Sequence, residues 1–125
     1  METGKTGIVI SHTHWDREWY LDLEKFRLRL VELVDALLDI LDAQPRYIFH
    51  LDAQTIVLDD YLEIRPYERD RIDAHIASGR LLVGPWYVQN DFFLVSAEAT
   101  VRNLKQGIMK AESHGASMRH AIQLS

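Results

Sequence analysis

The feature that most restricts this chain is an alternation of short β-branched runs with longer stretches of helical periodicity. Gly7-Ile8-Val9-Ile10-Ser11 reads as a buried strand. Over about residues 22–43 the apolar positions Leu23, Phe26, Leu30, Val34, Leu37 and Leu41 recur every three or four residues, with Lys25, Glu32, Asp35 and Asp39 between them. That spacing predicts an amphipathic helix, stopped by Gln44-Pro45. Tyr47-Ile48-Phe49-His50-Leu51 reads as a second strand, and Ile56, Val57, Tyr61 and Ile64 follow at helical spacing. Pro66 suits the first turn of a further helix carrying Ile72 and Ile76 and ending near Gly79. Arg80-Leu81-Leu82-Val83-Gly84 is a third strand, closed by Pro85-Trp86. Ser96 can cap a helix with Glu98 in its first turn and a buried stripe of Val101, Leu104, Ile108 and Ala111, which Gly115 ends. Residues 118–124 are expected to form a fourth strand. The order β-α-β-α-α-β-α-β implies an α/β fold with a mostly parallel sheet of about four strands, intervening helices and right-handed crossovers.

In parallel α/β folds the functional residues gather at the carboxyl ends of the strands. Here those ends carry residues 12–19, 50–54 and 86–91. The rest of the composition narrows the function. The 125 residues suit one domain, but ~250 are typical of a complete (β/α)8 barrel. No apolar run nears the ~20 residues that span a bilayer, so no membrane partner is expected. The first seven residues lack the basic and apolar regions of a signal peptide, which makes cytoplasmic the default location. The absence of cysteine excludes disulfides, thiolate zinc sites and a cysteine nucleophile. A net charge of −5 with scattered Lys and Arg argues against a nucleic-acid partner.

His12, His14 and Asp16 stand at i, i+2 and i+4 after the first strand. An extended backbone would put them on one face, where two imidazoles and a carboxylate are good ligands for a borderline divalent ion, zinc above all. The alternative is that the histidines hydrogen-bond the loop backbone and Asp16 pairs with Arg17.

The stretch His12-Thr13-His14-Trp15-Asp16-Arg17-Glu18-Trp19-Tyr20 resembles the opening motif of glycoside hydrolase family 38, the zinc-dependent retaining α-mannosidases, with the bacterial mannosylglycerate hydrolase branch nearest. The likeness continues through His50-Leu51-Asp52-Ala53-Gln54-Thr55, Gly84-Pro85-Trp86-Tyr87-Val88-Gln89, Val95-Ser96-Ala97-Glu98 and Val101-Arg102-Asn103-Leu104. It implies that residues 1–125 are the N-terminal part of a catalytic (β/α) barrel domain. It further implies that His14 and Asp16 are ligands of one zinc ion, that Trp19 packs against the sugar, and that Asp52, Trp86 and Asp91 line the same pocket. His12 belongs to the motif without being a ligand. A mannoside or related carbohydrate would be the substrate, its adjacent cis hydroxyls filling open metal positions. Other roles stay open beside these: Trp19 as a core ring, Asp52 as a helix N-cap, Asp91 as the start of a turn. Relatives often carry a second acidic residue after the aspartate that matches Asp91, where this chain has Phe92. Glu98, Arg102 and Asn103 read as helix-face or packing groups.

Retaining glycosidases need a nucleophile and an acid/base, carboxylates roughly 5–5.5 Å apart. The family's nucleophilic Asp-Ser-Phe-Gly-like segment, its acid/base and its remaining metal ligands match nothing in these 125 residues, so no catalytic residue is assigned. The chain by itself is expected to lack mannosidase activity, to bind metal weakly, and to self-associate through open sheet edges unless the missing part covers them. Two other classes stay open at this point. One is a metal-dependent amidohydrolase, whose barrels also carry His-x-His at the first strand end. The other is a non-catalytic carbohydrate-binding remnant.

Overall fold

The computed structural model describes residues 4–51 and 53–120. Among them, three short parallel strands, β1 (Ser11–His12), β2 (Phe49–His50) and β3 (Leu81–Leu82), form a sheet in the order β1-β2-β3. Ser11 lies beside Phe49 and Phe49 beside Leu81, so the strand ends are level and their C-terminal loops meet at one edge. The connections are helical: α1 (Leu23–Ala43) joins β1 to β2, while α2 (Ile56–Ile64) and α3 (Arg69–Ala77) join β2 to β3. A 3-10 turn, Pro66–Glu68, leads into α3, and α4 (Ala97–Glu112) follows β3. None of these helices is long and apolar enough to cross a membrane.

Local chemistry sets the helix ends. The Asp22 carboxylate accepts the Lys25 N–H at 3.0 Å to open α1, and Ser96 Oγ accepts the Ala99 N–H at 3.2 Å to open α4. Gly79, at φ 72°, turns the chain out of α3 into β3 through a left-handed conformation that a side chain would disfavour. The core forms where Leu30, Val34, Leu38 and Leu41 of α1 meet Leu58 and Tyr61 of α2, Ile72 and Ile76 of α3, and Leu51, Leu81 and Val83 beside the sheet. Polar ties close its rim. Tyr61 donates to Asp35 at 2.6 Å, and Arg71 of α3 reaches Asp39 and Asp42 of α1 at 2.8 Å each.

Three expectations change. Residues 7–10 are not a buried strand: they lie outside the sheet, and Val9 is 95% exposed. Their β-branched character provides the capacity for burial, but β1 meets β2 only from Ser11 onward and no described element covers the run. The stripe of α4 is rotated. Gly107 and Ala111 are buried, Leu104 and Ile108 are half-buried, and Val101 is 62% exposed. The cause is steric, because α4 rests on the backbone of residues 85–87 and only a residue without Cβ fits at that contact. The expected fourth strand falls partly on residues outside those described. The described residues 118–120 form no strand, and only the Met118 N–H donates to the Val83 carbonyl, at 2.8 Å, just past β3.

Candidate functional site

The loops that leave the C-terminal ends of β1, β2 and β3 enclose a cleft of about 710 Å³. His14, Asp16, Arg17 and Glu18 line it from the first loop, Gln54 from the second, and Gln89, Asp91, Phe92 and Phe93 from the third. The level strand ends therefore bring together polar groups that lie far apart in sequence.

β1 ends at His12, so the extended backbone that would align His12, His14 and Asp16 stops after the first of them. His12 turns aside and its Nδ1 meets the Thr13 carbonyl at 2.9 Å. His14 and Asp16 stay together: His14 Nε2 lies 3.6 Å from Asp16 Oδ1, both side chains about half-exposed to the cleft. That distance is too long for a strong hydrogen bond. It is close to the separation of about 3.3 Å between two tetrahedral zinc ligands, given metal–ligand distances near 2.0–2.1 Å. Among the described residues no group of three His, Cys, Asp or Glu side chains converges to hold an ion.

Arg17 does not pair with Asp16. Its guanidinium forks onto the buried Asp60 of α2, at 2.7 Å from Nε and 2.9 Å from Nη2. This charge-assisted hydrogen bonding raises the Arg17 pKa further above its ordinary value. The loop carrying His14 and Asp16 has no ladder of its own, and this fork is one of its anchors.

The other expected residues are distributed differently. Trp19 is 76% exposed and packs edge-on against Tyr20 at 5.4 Å, and the cleft lining passes from Glu18 to Leu23 without it. Trp86 is only 8% exposed, its ring edge-on to Phe92 at 5.6 Å and its Nε1 without a hydrogen-bond partner among the described residues. Phe92 thus carries the apolar wall, with Trp86 behind it. Asp91 lies on the cleft, and its Oδ1 accepts the Phe93 N–H at 2.8 Å, closing the turn that presents both phenylalanines. Asp52 lies outside the described residues. The helix it was a candidate to cap begins at Ile56, with Thr55 at the cap position.

Glu98 and Arg102 form an exposed pair at 2.7 Å on α4, as their spacing suggests. Asn103 does more than pack. Its Oδ1 accepts the Val88 N–H at 2.9 Å, and its Nδ2 donates to the Val88 carbonyl and to Asn90 Oδ1. Three further residues escape sequence reasoning: Gln54, which joins two of the loops, Asp60, the partner of Arg17, and His50. His50 is buried at the end of β2 with Nδ1 unpartnered among the described residues, and burial, reinforced by nearby His12, lowers its pKa. For His50 and Gln54 the available signal was a polar residue in a strand-end segment, whereas Asp60, inside α2, offered none.

The family model of the Glycosyl hydrolases family 38 N-terminal domain matches residues 5–122. The chain belongs to glycosyl hydrolase family 38. A protein described as a putative mannosylglycerate hydrolase of Halalkalibacterium halodurans is 50% identical over 112 residues, which is 89% of this chain and 12% of that protein. The crystal structure of an α-mannosidase from Enterococcus faecalis V583 superposes with a TM-score of 0.84 at 45% identity, covering 87% of this chain and 12% of that one. A second family 38 structure from Enterococcus faecalis gives a TM-score of 0.81 at 41% identity, over 90% of this chain and 13% of the other. This family 38 chain thus spans about an eighth of the length of the relatives it matches. Membership sets the amidohydrolase alternative aside, and it agrees with the resemblance carried by the His-Thr-His-Trp-Asp motif.

Proposed function

We propose that residues 1–125 form the first part of the (β/α) barrel of a zinc-dependent, retaining α-mannosidase-type enzyme, acting on a mannoside or related carbohydrate. In this reading His14 and Asp16 are two ligands of the ion. The observation that carries it is the 3.6 Å approach of these two donors on the wall of a strand-end cleft in a family 38 chain. An imidazole and a carboxylate are suitable donors for zinc. When bound, the ion would act as a Lewis acid and would orient the sugar through its hydroxyls. The chain's own residues supply the surroundings. Asp91 keeps one carboxylate oxygen on the Phe93 N–H and directs its other toward a sugar hydroxyl. The apolar C–H face of the ring meets Phe92 and Phe93, whose positions Trp86 and Asp91 support. Trp19 and Asp52 complete the sugar site once the remainder of the barrel is in place.

No residue of this chain takes the part of nucleophile or acid/base, so the 125 residues alone are proposed to be inactive. The test is to incubate the purified chain with an aryl α-mannoside and zinc chloride, and in parallel to titrate zinc against the ring resonances of His14. Weak zinc-dependent shifts, abolished by Asp16→Asn, with no hydrolysis are expected. Zinc-dependent turnover would refute the inactivity, and zinc uptake that survives His14→Ala would refute the ligand assignment.

A further inference from the structure

Among the described residues no backbone hydrogen bond joins the loop of His14 and Asp16 to the loop of Gln89 and Asp91, yet one side chain spans them. Gln54 is 2% exposed and sits four residues after the end of β2. Its Nε2 donates to the Trp15 carbonyl at 2.7 Å, and its Oε1 accepts the Gln89 N–H at 3.2 Å. The two backbone partners, one an acceptor and the other a donor, define which end of the amide is which. Trp15 is the residue between His14 and Asp16, and Gln89 lies two residues before Asp91. The backbone of Gln54 is itself fixed. It forms a parallel bridge with Trp86, beside the Trp86 N–H to Ala53 carbonyl bond at 3.0 Å and the Thr55 N–H to Trp86 carbonyl bond at 2.9 Å.

We infer that Gln54 is a positioning residue, which sets the spacing and orientation of the His14–Asp16 pair relative to the Asp91 loop by holding Trp15 and Gln89 on one planar amide. This rests on the reading of His14 and Asp16 as metal ligands. A primary amide is required because one arm must donate and the other accept at opposite ends of one group. Methionine fills a similar volume and offers neither arm as a strong partner, so Gln54→Met removes the brace with little change in packing. Supporting groups behind metal ligands typically contribute about 10–100-fold in metal affinity.

The test compares the full chain with its Gln54→Met variant by titration with cobalt(II) chloride alone, following the His14 ring resonances and the visible cobalt spectrum. Amide hydrogen exchange and far-UV circular dichroism are measured on the same samples. The variant is expected to keep its helical signal, to lose about 10-fold or more in cobalt affinity, and to show faster exchange at the Gln89 N–H with coupled shifts at Trp15. Cobalt affinity within twofold of the parent, or exchange at Gln89 unchanged, would overturn the inference. If the parent chain binds no cobalt, the ligand reading fails. The brace is then judged on exchange, where loss of protection at Gln89 together with shifts at residues 14–16 supports it and a change confined to one loop refutes it. Should Gln54→Met lose its helical signal, Gln54→Glu takes its place: the carboxylate keeps the acceptor for Gln89 and lacks the donor for Trp15. Shifts at residues 14–16 with Gln89 still protected are then expected, and unchanged resonances at 14–16 would overturn the proposal.

Discussion

Replacing Gly107 with alanine distinguishes tertiary packing from helix propensity, because the two predict opposite signs. By propensity alone, an interior helical Gly→Ala change stabilises by about 1 kcal/mol. In this fold a Cβ at position 107 would come closer than 3.0 Å to the Trp86 carbonyl carbon, the Pro85 oxygen and the Tyr87 nitrogen. All three are backbone atoms of the segment leaving β3, so none can move aside as a side-chain tip would. Restoring ordinary contact at ~3.5 Å requires α4 to withdraw by more than about 1 Å. Such overpacking costs about 1–3 kcal/mol. The withdrawal also stretches the Tyr87 N–H to Asn103 carbonyl bond, already 3.3 Å, and the three bonds from the Asn103 side chain. Losing two of these four at about 1 kcal/mol each, and subtracting the propensity gain, leaves a net destabilisation of about 2–4 kcal/mol. Urea unfolding followed by far-UV circular dichroism reads this directly, with Gln106→Ala, exposed on the same helix, as the control expected to stay within about 0.5 kcal/mol. A midpoint for Gly107→Ala equal to or above the parent's would refute the contact.

Arg17→Met should cost about 2–4 kcal/mol, somewhat less than breaking a fully buried pair because Arg17 is partly exposed; it leaves the buried Asp60 carboxylate without its fork. Urea unfolding checks this, and Arg17→Met with Asp60→Leu should recover part of the loss, so a double variant weaker than the single one would contradict it. His50 supplies a pH dependence. Its folded pKa is depressed below 6.5 by burial, so the unfolded chain binds the extra proton first as pH falls. The His50 contribution is then at its full value above pH 6.5 and declines as the pH falls toward the folded pKa. His50→Gln should flatten that part of the profile, and a His50 ring that titrates above 6.5 by NMR would show the sign to be wrong.

Much of the fold was legible because its determinants are local. The three-to-four residue spacing of Phe26, Leu30, Val34, Leu37 and Leu41, the Asp22 and Ser96 caps and Gly79 each act within a turn or two of chain. The alternation of elements predicts parallel strands, and the motif led to family 38. The His14–Asp16 pair was also legible, since two residues apart on one loop they remain neighbours even after β1 ends.

Other features depended on which surfaces meet, and one-dimensional patterns do not encode that. Ile8 and Val9 have the composition of a buried strand but no covering element, while Val101 has helical spacing on a face turned outward by the fit of Gly107. Phe92 lines the cleft with Trp86 packed edge-on behind it, an arrangement that the sequence does not encode because an aromatic ring looks the same there whether it forms a wall or supports one. Arg17 chose Asp60 over its neighbour Asp16, and Gln54 found Trp15 and Gln89, across separations of 43, 39 and 35 residues. The sequence by itself thus determined the elements, their order and the chemistry available at the strand ends. Only the tertiary structure decided which of those groups share a cleft, because hydrogen bonds and close packing are short-ranged and act between segments that the folded chain brings together.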